Sequence, residues 1–134
     1  MSPAEEAALA AAAVKVRGLA YAPYSKFQVG AALRDEDGRI HRGCNVENAS
    51  YSQCQCAEAT AIGAMVAAGA RRITAVAVAG PDGVTCTPCG GCRQRIREFA
   101  APETPVLVCD SSGVLARHSL AELLPASFGP ETLG

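Results

Sequence analysis

The sequence has almost no net charge and no long hydrophobic run. Its 134 residues carry 12 Lys and Arg against 13 Asp and Glu, which gives a formal net charge of −1 at pH 7. Proteins that bind nucleic acid or anionic membranes usually carry a basic excess, and this chain shows none. No apolar stretch is long and uninterrupted enough to predict a transmembrane helix. The composition therefore indicates a protein without a nucleic-acid or membrane partner.

The sequence also lacks a secretory signal pattern, internal repeats and linker segments. Its seven cysteines are an odd number, and there are only two histidines. Without a secretory signal, this cysteine usage favours the reducing cytoplasm, where thiols serve metal sites and cores and do not form disulfides. A hydrophobic content of 49% over 134 residues is enough for one core. We therefore expect a single cytoplasmic domain spanning residues 1–134.

Helical and strand patterns alternate along the chain. Ser2, Pro3 and Glu5 have the pattern of a capping box with proline in the first turn, and they open an alanine-rich helix that runs to about Ala20. Further helices are predicted at 56–68 and 89–99 and after a capping box at 119–122, and strands at 28–34, 39–45, 73–79 and 106–109. This alternation predicts an α/β fold in which helices cover both faces of a mixed sheet.

Three cysteines have the spacing of metal ligands. Cys89 and Cys92 are three residues apart, so on a helical turn both sulfurs leave the same face, and Cys56 supplies a third thiolate. Three protein ligands leave one tetrahedral position of zinc open, which is the layout of a catalytic site. Cysteines at helix N-termini also meet backbone N–H groups that lower their pKa. We expect one Zn²⁺ per chain.

Glu58 follows Cys56 by two residues, which is roughly 200° around a helix. This position suits it poorly as a ligand of the same ion, but its carboxylate could reach a water molecule there and shuttle protons. A competing interpretation is a closed, non-catalytic zinc module in which Cys54 adds a fourth thiolate. Spacing alone leaves both interpretations open.

The same motifs resemble those of the short-chain, homotetrameric, zinc-dependent cytidine deaminases. Cys56-Ala57-Glu58 and Pro88-Cys89-Gly90-x-Cys92-Arg93-Gln94 carry the resemblance, and residues 21–33, 43–51 and 123–130 extend it. It implies a three-layer α/β/α fold with a mixed five-stranded sheet. It also implies hydrolysis of cytidine and 2′-deoxycytidine to the uridine nucleosides plus ammonia, in pyrimidine salvage. The implied assembly is a D₂ homotetramer.

The resemblance also implies roles for individual residues. Cys56, Cys89 and Cys92 fall on the zinc ligands and Glu58 on the proton shuttle. The implied substrate-binding residues are Phe27, Asn45, Glu47, Tyr51, Ala57 and Phe128. Asn45 and Glu47 would bind the ribose, the Ala57 backbone the base edge, and Phe27 would lie beside the nucleoside. Tyr51 and Phe128 would reach a neighbouring subunit's site.

Pattern alone gives plainer interpretations of several of these residues. Phe27 precedes an alternating strand and could belong to the core, and Asn45 and Glu47 could be turn residues. A deaminase of a cytosine-containing antibiotic or of an N4-modified cytidine would share the zinc chemistry and differ in pocket shape. The match over residues 45–51 favours the nucleoside over those substrates.

The sequence departs from this resemblance at Ala59. Most short-chain cytidine deaminases have an arginine there, which hydrogen-bonds the cysteine ligands. Three thiolates around Zn²⁺ leave a formal charge of −1, which weakens zinc as a Lewis acid unless something offsets it. We expect the helix N-termini and the N–H groups around Gly90 and Gly91 to provide part of that offset, with Arg93 a candidate for the rest.

Overall fold

The computed structural model describes residues 1–134 as five strands and four α-helices. In chain order these are α1 (Pro3–Arg17), β1 (Gly30–Asp35), β2 (Ile40–Cys44), α2 (Ala57–Ala67), β3 (Ile73–Ala79), α3 (Gly90–Phe99), β4 (Pro105–Asp110), β5 (Gly113–Ser119) and α4 (Leu120–Leu123). Short 3₁₀ turns lie at Tyr51–Gln53 and Pro130–Thr132. No helix combines the length and the apolar character that spanning a membrane requires.

The strands form one mixed sheet in the order β2-β1-β3-β4-β5. β3 and β4 run parallel, and every other neighbouring pair is antiparallel. A parallel pair needs a crossover connection, and α3 provides it here. The predicted α/β fold with a five-stranded mixed sheet is confirmed, and the loop that leaves the carboxyl end of β3 leads directly into α3.

Helices cover the two faces of the sheet with different side chains. Along β3, Ala75, Ala77 and Ala79 belong to the cluster packed against α1, while Val76 and Val78 belong to the cluster packed against α2 and α3. This follows from the alternation of side chains along a strand. The face toward α1 is therefore built mainly from alanines, and the opposite face from larger aliphatic side chains.

Gly43 allows α2 to lie directly on β2. A Cβ atom at Gly43 would stand 2.3 Å from the Ala61 nitrogen and 2.6 Å from the Ala57 carbonyl oxygen. No side chain fits in that space, so the first two turns of α2 are held at backbone contact distance from the sheet. This contact fixes the N-terminus of α2, and with it Cys56 and Glu58.

Two boundaries differ from the sequence prediction by more than one residue, and one strand was missed. α1 ends at Arg17 and not near Ala20, because the N–H groups of Leu19 and Ala20 turn back to the carbonyls three residues earlier. β1 begins at Gly30 and not at residue 28, because the N–H of Val29 donates to the Asn45 side chain and not to a neighbouring strand. β5 was not located by the pattern analysis.

Candidate active site

α2 and α3 both begin with a cysteine. Cys56 is the N-cap residue of α2 and Cys89 that of α3, each with extended backbone and neither with a side-chain capping hydrogen bond. Cys92 lies in the first turn of α3 and is fully buried. The two helices pack side by side on the same face of the sheet, so their N-termini bring the three cysteines together.

The three sulfur atoms have the arrangement of a metal site. They all lie within 4.8 Å of one another, and the Cys56 and Cys89 sulfurs are 3.9 Å apart. Tetrahedral zinc with bonds of about 2.3 Å to sulfur places its ligand sulfurs about 3.8 Å apart. The donor set and its spacing therefore fit Zn²⁺, with one position left for a ligand that the protein does not supply.

The thiols have shifted pKa values with identifiable causes. Burial raises the pKa of Cys56 and of Cys92, because a thiolate is costly away from water. The pKa of Cys89 is lowered, and the largest contribution comes from the backbone N–H of Cys92. The first turn of α3 thus already stabilises a negative sulfur at its N-terminus.

Glu58 stands beside the cysteines and is only 4% exposed. Burial raises the pKa of its carboxyl group, while its own backbone N–H and the positive charge of Arg95 oppose that shift. Its carboxylate makes no ion pair, although buried carboxylates are usually paired. A buried, unpaired carboxyl group with a raised pKa is suited to accept and release a proton.

A cavity of about 160 Å³ adjoins these groups. Its lining residues are Val29, Asn45, Cys56, Ala57, Glu58, Cys86, Thr87 and Cys89. Cavities that hold a complete small ligand usually measure about 300 to 1,000 Å³, so this one has room for part of a ligand. Cys86, which the sequence analysis did not single out, lies in its wall; its place in the loop between β3 and Cys89 was the available signal.

Asn45 and Glu47 hold the segment that precedes β1. The Asn45 amide accepts from the Val29 N–H at 2.9 Å and donates to the Phe27 carbonyl at 2.8 Å. The Glu47 carboxylate accepts from the N–H groups of Tyr24 and Ser25 at 2.9 and 3.1 Å. Of these two residues only Asn45 lines the cavity beside Glu58, whereas Glu47 lines a separate hollow of about 300 Å³ with Tyr24 and Tyr51.

The predicted aromatic residues lie on the surface around this region. Phe27 is 39% exposed, Phe128 is 49% exposed and Tyr51 is 77% exposed. Tyr51 packs edge-on against Tyr24 at a ring distance of 6.3 Å, and the Phe128 carbonyl accepts from the Gln94 side chain on α3. None of the three lines the cavity beside Glu58 within one chain.

Cys54 does not join the three clustered cysteines. Its sulfur accepts from the Asn48 N–H at 3.3 Å and faces the Asn48 carbonyl at 3.6 Å. The group of potential metal ligands contains Cys56, Cys89 and Cys92 alone. The geometry therefore gives no support to the closed four-cysteine site.

Arg93 and Arg95 differ in what their guanidinium groups contact. Arg93 donates to the carbonyls of Pro88 and Leu123, each at 2.7 Å, and makes no contact with sulfur. Arg95 instead places its Nη1 atom 3.9 Å from the Cys92 sulfur. Arg93, the candidate named from sequence, therefore does not contact the sulfurs, whereas Arg95 does; the three-residue spacing from Cys92 to Arg95, which puts both on one helix face, was the signal available for that contact.

The chain resembles known proteins over most of its length. Residues 3–108 match the family model described as the cytidine and deoxycytidylate deaminase zinc-binding region. A cytidine deaminase of Sporosarcina psychrophila is 46% identical over 125 residues, which cover 93% of this chain and 92% of that protein. The crystal structure of cytidine deaminase from Burkholderia pseudomallei superposes with a TM-score of 0.85 at 45% identity, covering 96% of this chain and all of that one. The crystal structure of cytidine deaminase from Mycobacterium leprae superposes with a TM-score of 0.77 at 43% identity, covering 88% of this chain and 95% of that one.

Proposed function

Since the chain belongs to the family of cytidine and deoxycytidylate deaminases, we propose that it hydrolyses cytidine and 2′-deoxycytidine to uridine and 2′-deoxyuridine with release of ammonia. The observation that carries this proposal is the cluster of three cysteine sulfurs at two helix N-termini beside the buried carboxyl group of Glu58. The whole chain, residues 1–134, acts as one catalytic domain.

Cys56, Cys89 and Cys92 hold one Zn²⁺ in this proposal. Bound zinc supplies Lewis acidity, which lowers the pKa of a coordinated water molecule toward neutrality. The protein contributes two helix N-termini, whose N–H groups and partial positive charge stabilise the thiolates. The closed module with Cys54 as fourth ligand would lack the open position that this chemistry needs.

Glu58 moves the protons. It takes a proton from the attacking water as oxygen adds to C4 of the cytosine ring and delivers that proton to ring N3; it then carries the remaining hydroxyl proton to the departing amine. The C4–N bond then breaks, ammonia leaves and the carbonyl of uridine remains. One carboxyl group can serve as base and then as acid because burial keeps its pKa above the ordinary value for Glu.

The nucleoside is positioned by the cavity and the adjoining loop. The Ala57 backbone holds the base edge, Phe27 lies beside the nucleoside, and Asn45 and Glu47 bind the ribose. Asn45 uses one of its two N–H donors on the Phe27 carbonyl, which leaves the other for a sugar hydroxyl. The carboxylate of Glu47 likewise retains acceptor capacity beyond its bonds to Tyr24 and Ser25.

The active enzyme in this proposal is a D₂ homotetramer that serves pyrimidine salvage in the cytoplasm. Two observations support the assembly. The cavity of about 160 Å³ holds only part of a ligand, and Tyr51 and Phe128 have exposed side chains that do not line it within one chain. A neighbouring subunit that contributes these rings would complete the pocket. Light scattering during turnover tests this, because an active monomer would contradict the shared site.

The experiment that tests the function measures absorbance loss and ammonia release by the purified protein with cytidine and 2′-deoxycytidine. Equal molar amounts of ammonia and uridine product are expected. An N4-modified cytidine and a cytosine-containing antibiotic serve as competing substrates. Turnover of either one in preference to the two nucleosides would overturn the substrate assignment, and no ammonia from any of them would overturn the enzymatic function.

A further inference from the structure

The three clustered cysteines lie in a negative environment. As zinc ligands all three are thiolates, so together with Zn²⁺ they carry a formal charge of −1. The carboxylate of Glu58 adds to this negative charge. Its charge contributes to raising the pKa of each of the three thiols, as a nearby negative group does. A positive side chain against the sulfurs would offset that charge.

Arg95 is placed to do so. It follows Cys92 by three residues on α3, and its side chain folds back toward the helix N-terminus, as long helical side chains do. Its Nη1 atom lies 3.9 Å from the Cys92 sulfur. It also lies 3.4 Å from the point that a Cβ atom on Gly91 would occupy, so the guanidinium lies against the first turn of α3.

The other arginines of α3 are committed elsewhere. Arg93 donates to the Pro88 and Leu123 carbonyls and to the Thr87 hydroxyl. Arg97 is buried and donates to Ser127, to the Ala100 carbonyl and to Glu131. Arg95 makes no ion pair with any carboxylate, and the Cys92 sulfur is its one hydrogen-bond partner. Its guanidinium therefore has no protein contact that competes with the Cys92 sulfur.

The space that Arg95 occupies adjoins Ala59. A hollow of about 580 Å³ on the outer side of Cys56 is lined by both Ala59 and Arg95. Ala59 is the first residue after Glu58 and its methyl group leaves most of this hollow unfilled. A guanidinium could thus reach the sulfurs from either α2 or α3, and in this chain only α3 supplies one.

We propose that Arg95 is a positioning residue that hydrogen-bonds the Cys92 sulfur and offsets the negative charge of the zinc site from α3. The inference rests on the function proposed above, because it requires zinc on the three cysteines. It concerns the affinity of the site for the metal. It predicts that high affinity requires a positive side chain against the sulfurs, whether that side chain comes from α3 or from α2.

The test is zinc affinity, measured by competition with a chromogenic chelator. Replacement Arg95→Gln should weaken zinc binding by roughly tenfold, the low end for residues that support metal ligands, because Arg95 is exposed. Arg95→Lys should retain most of the affinity. The double variant Ala59→Arg with Arg95→Gln should recover it, because the new guanidinium enters the same hollow from α2.

Arg42→Gln is the matched control. Arg42 is exposed on β2, and replacing it removes the same charge from the molecule. The alternation of side chains along the strand directs Arg42 to the face opposite Gly43 and α2. Its zinc affinity should equal that of the unaltered protein. Unchanged affinity in Arg95→Gln, or an equal loss in Arg42→Gln, would overturn the role of Arg95 while leaving the proposed function intact. An unaltered protein that binds no zinc would overturn both.

Discussion

The four α-helices begin in two different ways. α1 and α4 begin with complete capping boxes, in which Ser2 pairs with Glu5 and Ser119 with Glu122 through reciprocal hydrogen bonds of 2.8 to 3.1 Å. α2 and α3 begin with cysteines whose side chains make no capping bond. A serine cap contributes about 1 kcal/mol to stability. The first pair of helix starts thus stabilises the fold, and the second pair places its cysteines in the cluster of metal ligands, with the Cys92 N–H stabilising the Cys89 sulfur.

This difference separates residues that serve the chemistry from residues that serve the fold. The uncapped helix starts lie together on one face of the sheet, beside the buried carboxyl group of Glu58, which makes no ion pair. The capped starts contribute no residue to the cluster of metal ligands. Substitutions at the two kinds of helix start should therefore affect different measurements, and the predictions below are arranged by the size of the expected effect.

The largest effect is expected for Cys92→Ser at the start of α3. Cys92 is fully buried, and its loss removes one of three metal ligands. Turnover and zinc should both be lost, and the thermal midpoint should no longer respond to a chelator, whereas that of the unaltered protein should fall. A Cys92→Ser protein with the same chelator response as the unaltered one would show that the metal binds elsewhere.

The next effect is expected for Glu58→Gln in the first turn of α2. This change removes a proton shuttle without removing a ligand, so kcat should fall by roughly 10²- to 10⁴-fold while zinc content stays unchanged. Steady-state kinetics with cytidine and metal analysis of the same sample measure both. Activity within tenfold of the unaltered protein would refute the assigned proton transfer.

The sequence predicted the helix starts better than the segments around the site. Both kinds of start were recognisable because capping boxes and the Cys-x-x-Cys spacing are local patterns. β5 was missed, although Ser111-Ser112-Gly113 after a buried strand is a turn signal and Gly113 has a positive φ of 117°. The β5 strand lies at the sheet edge and is only partly buried, so its hydrophobic pattern is weak.

The segment before β1 could not be predicted because its structure depends on contacts across the chain. Asn45 and Glu47 take its N–H groups, which keeps residues 24–29 out of the sheet, and Lys26 adopts a positive φ of 61°. The contacts of Arg93 could not be predicted for a related reason. Its guanidinium donates to the Leu123 carbonyl, and that contact joins residues 30 positions apart.

A smaller effect is expected from acid at the far end of β1. Asp35 is fully buried, and burial raises its pKa. Hydrogen bonds from His41 and from the Arg39 and Asp37 N–H groups outweigh this effect and lower the pKa from 3.8 to about 2. Because the folded-state pKa is depressed, this stabilisation is present above about pH 4 and is lost as pH falls toward 2. Asp35→Asn should lose roughly 1 to 2 kcal/mol of unfolding free energy at neutral pH.

Denaturant unfolding between pH 2 and pH 7 checks this prediction. The variant should show a shallower loss of stability below about pH 4 than the unaltered protein, and zinc content and kcat at neutral pH should be unchanged. Parallel pH curves for the two proteins would mean that Asp35 does not couple folding to protonation.

The smallest effect is expected for Ser2→Ala at the start of α1. Loss of the cap should cost about 1 kcal/mol of unfolding free energy, and Ser2→Gly only a few tenths. Neither change should alter zinc content or kcat, which distinguishes this helix start from those of α2 and α3. A reduction of kcat in a fully folded Ser2→Ala protein would contradict the division between the two kinds of start.

The most direct test of the whole account is the zinc content of the purified protein beside that of a Cys54→Ala variant. Three ligands with one open position predict about one zinc per chain in both proteins, because the Cys54 sulfur contacts the Asn48 backbone and not the cluster. Loss of zinc from the Cys54→Ala variant would establish a closed four-cysteine site and contradict the account. Absence of zinc from the unaltered protein would contradict it as well.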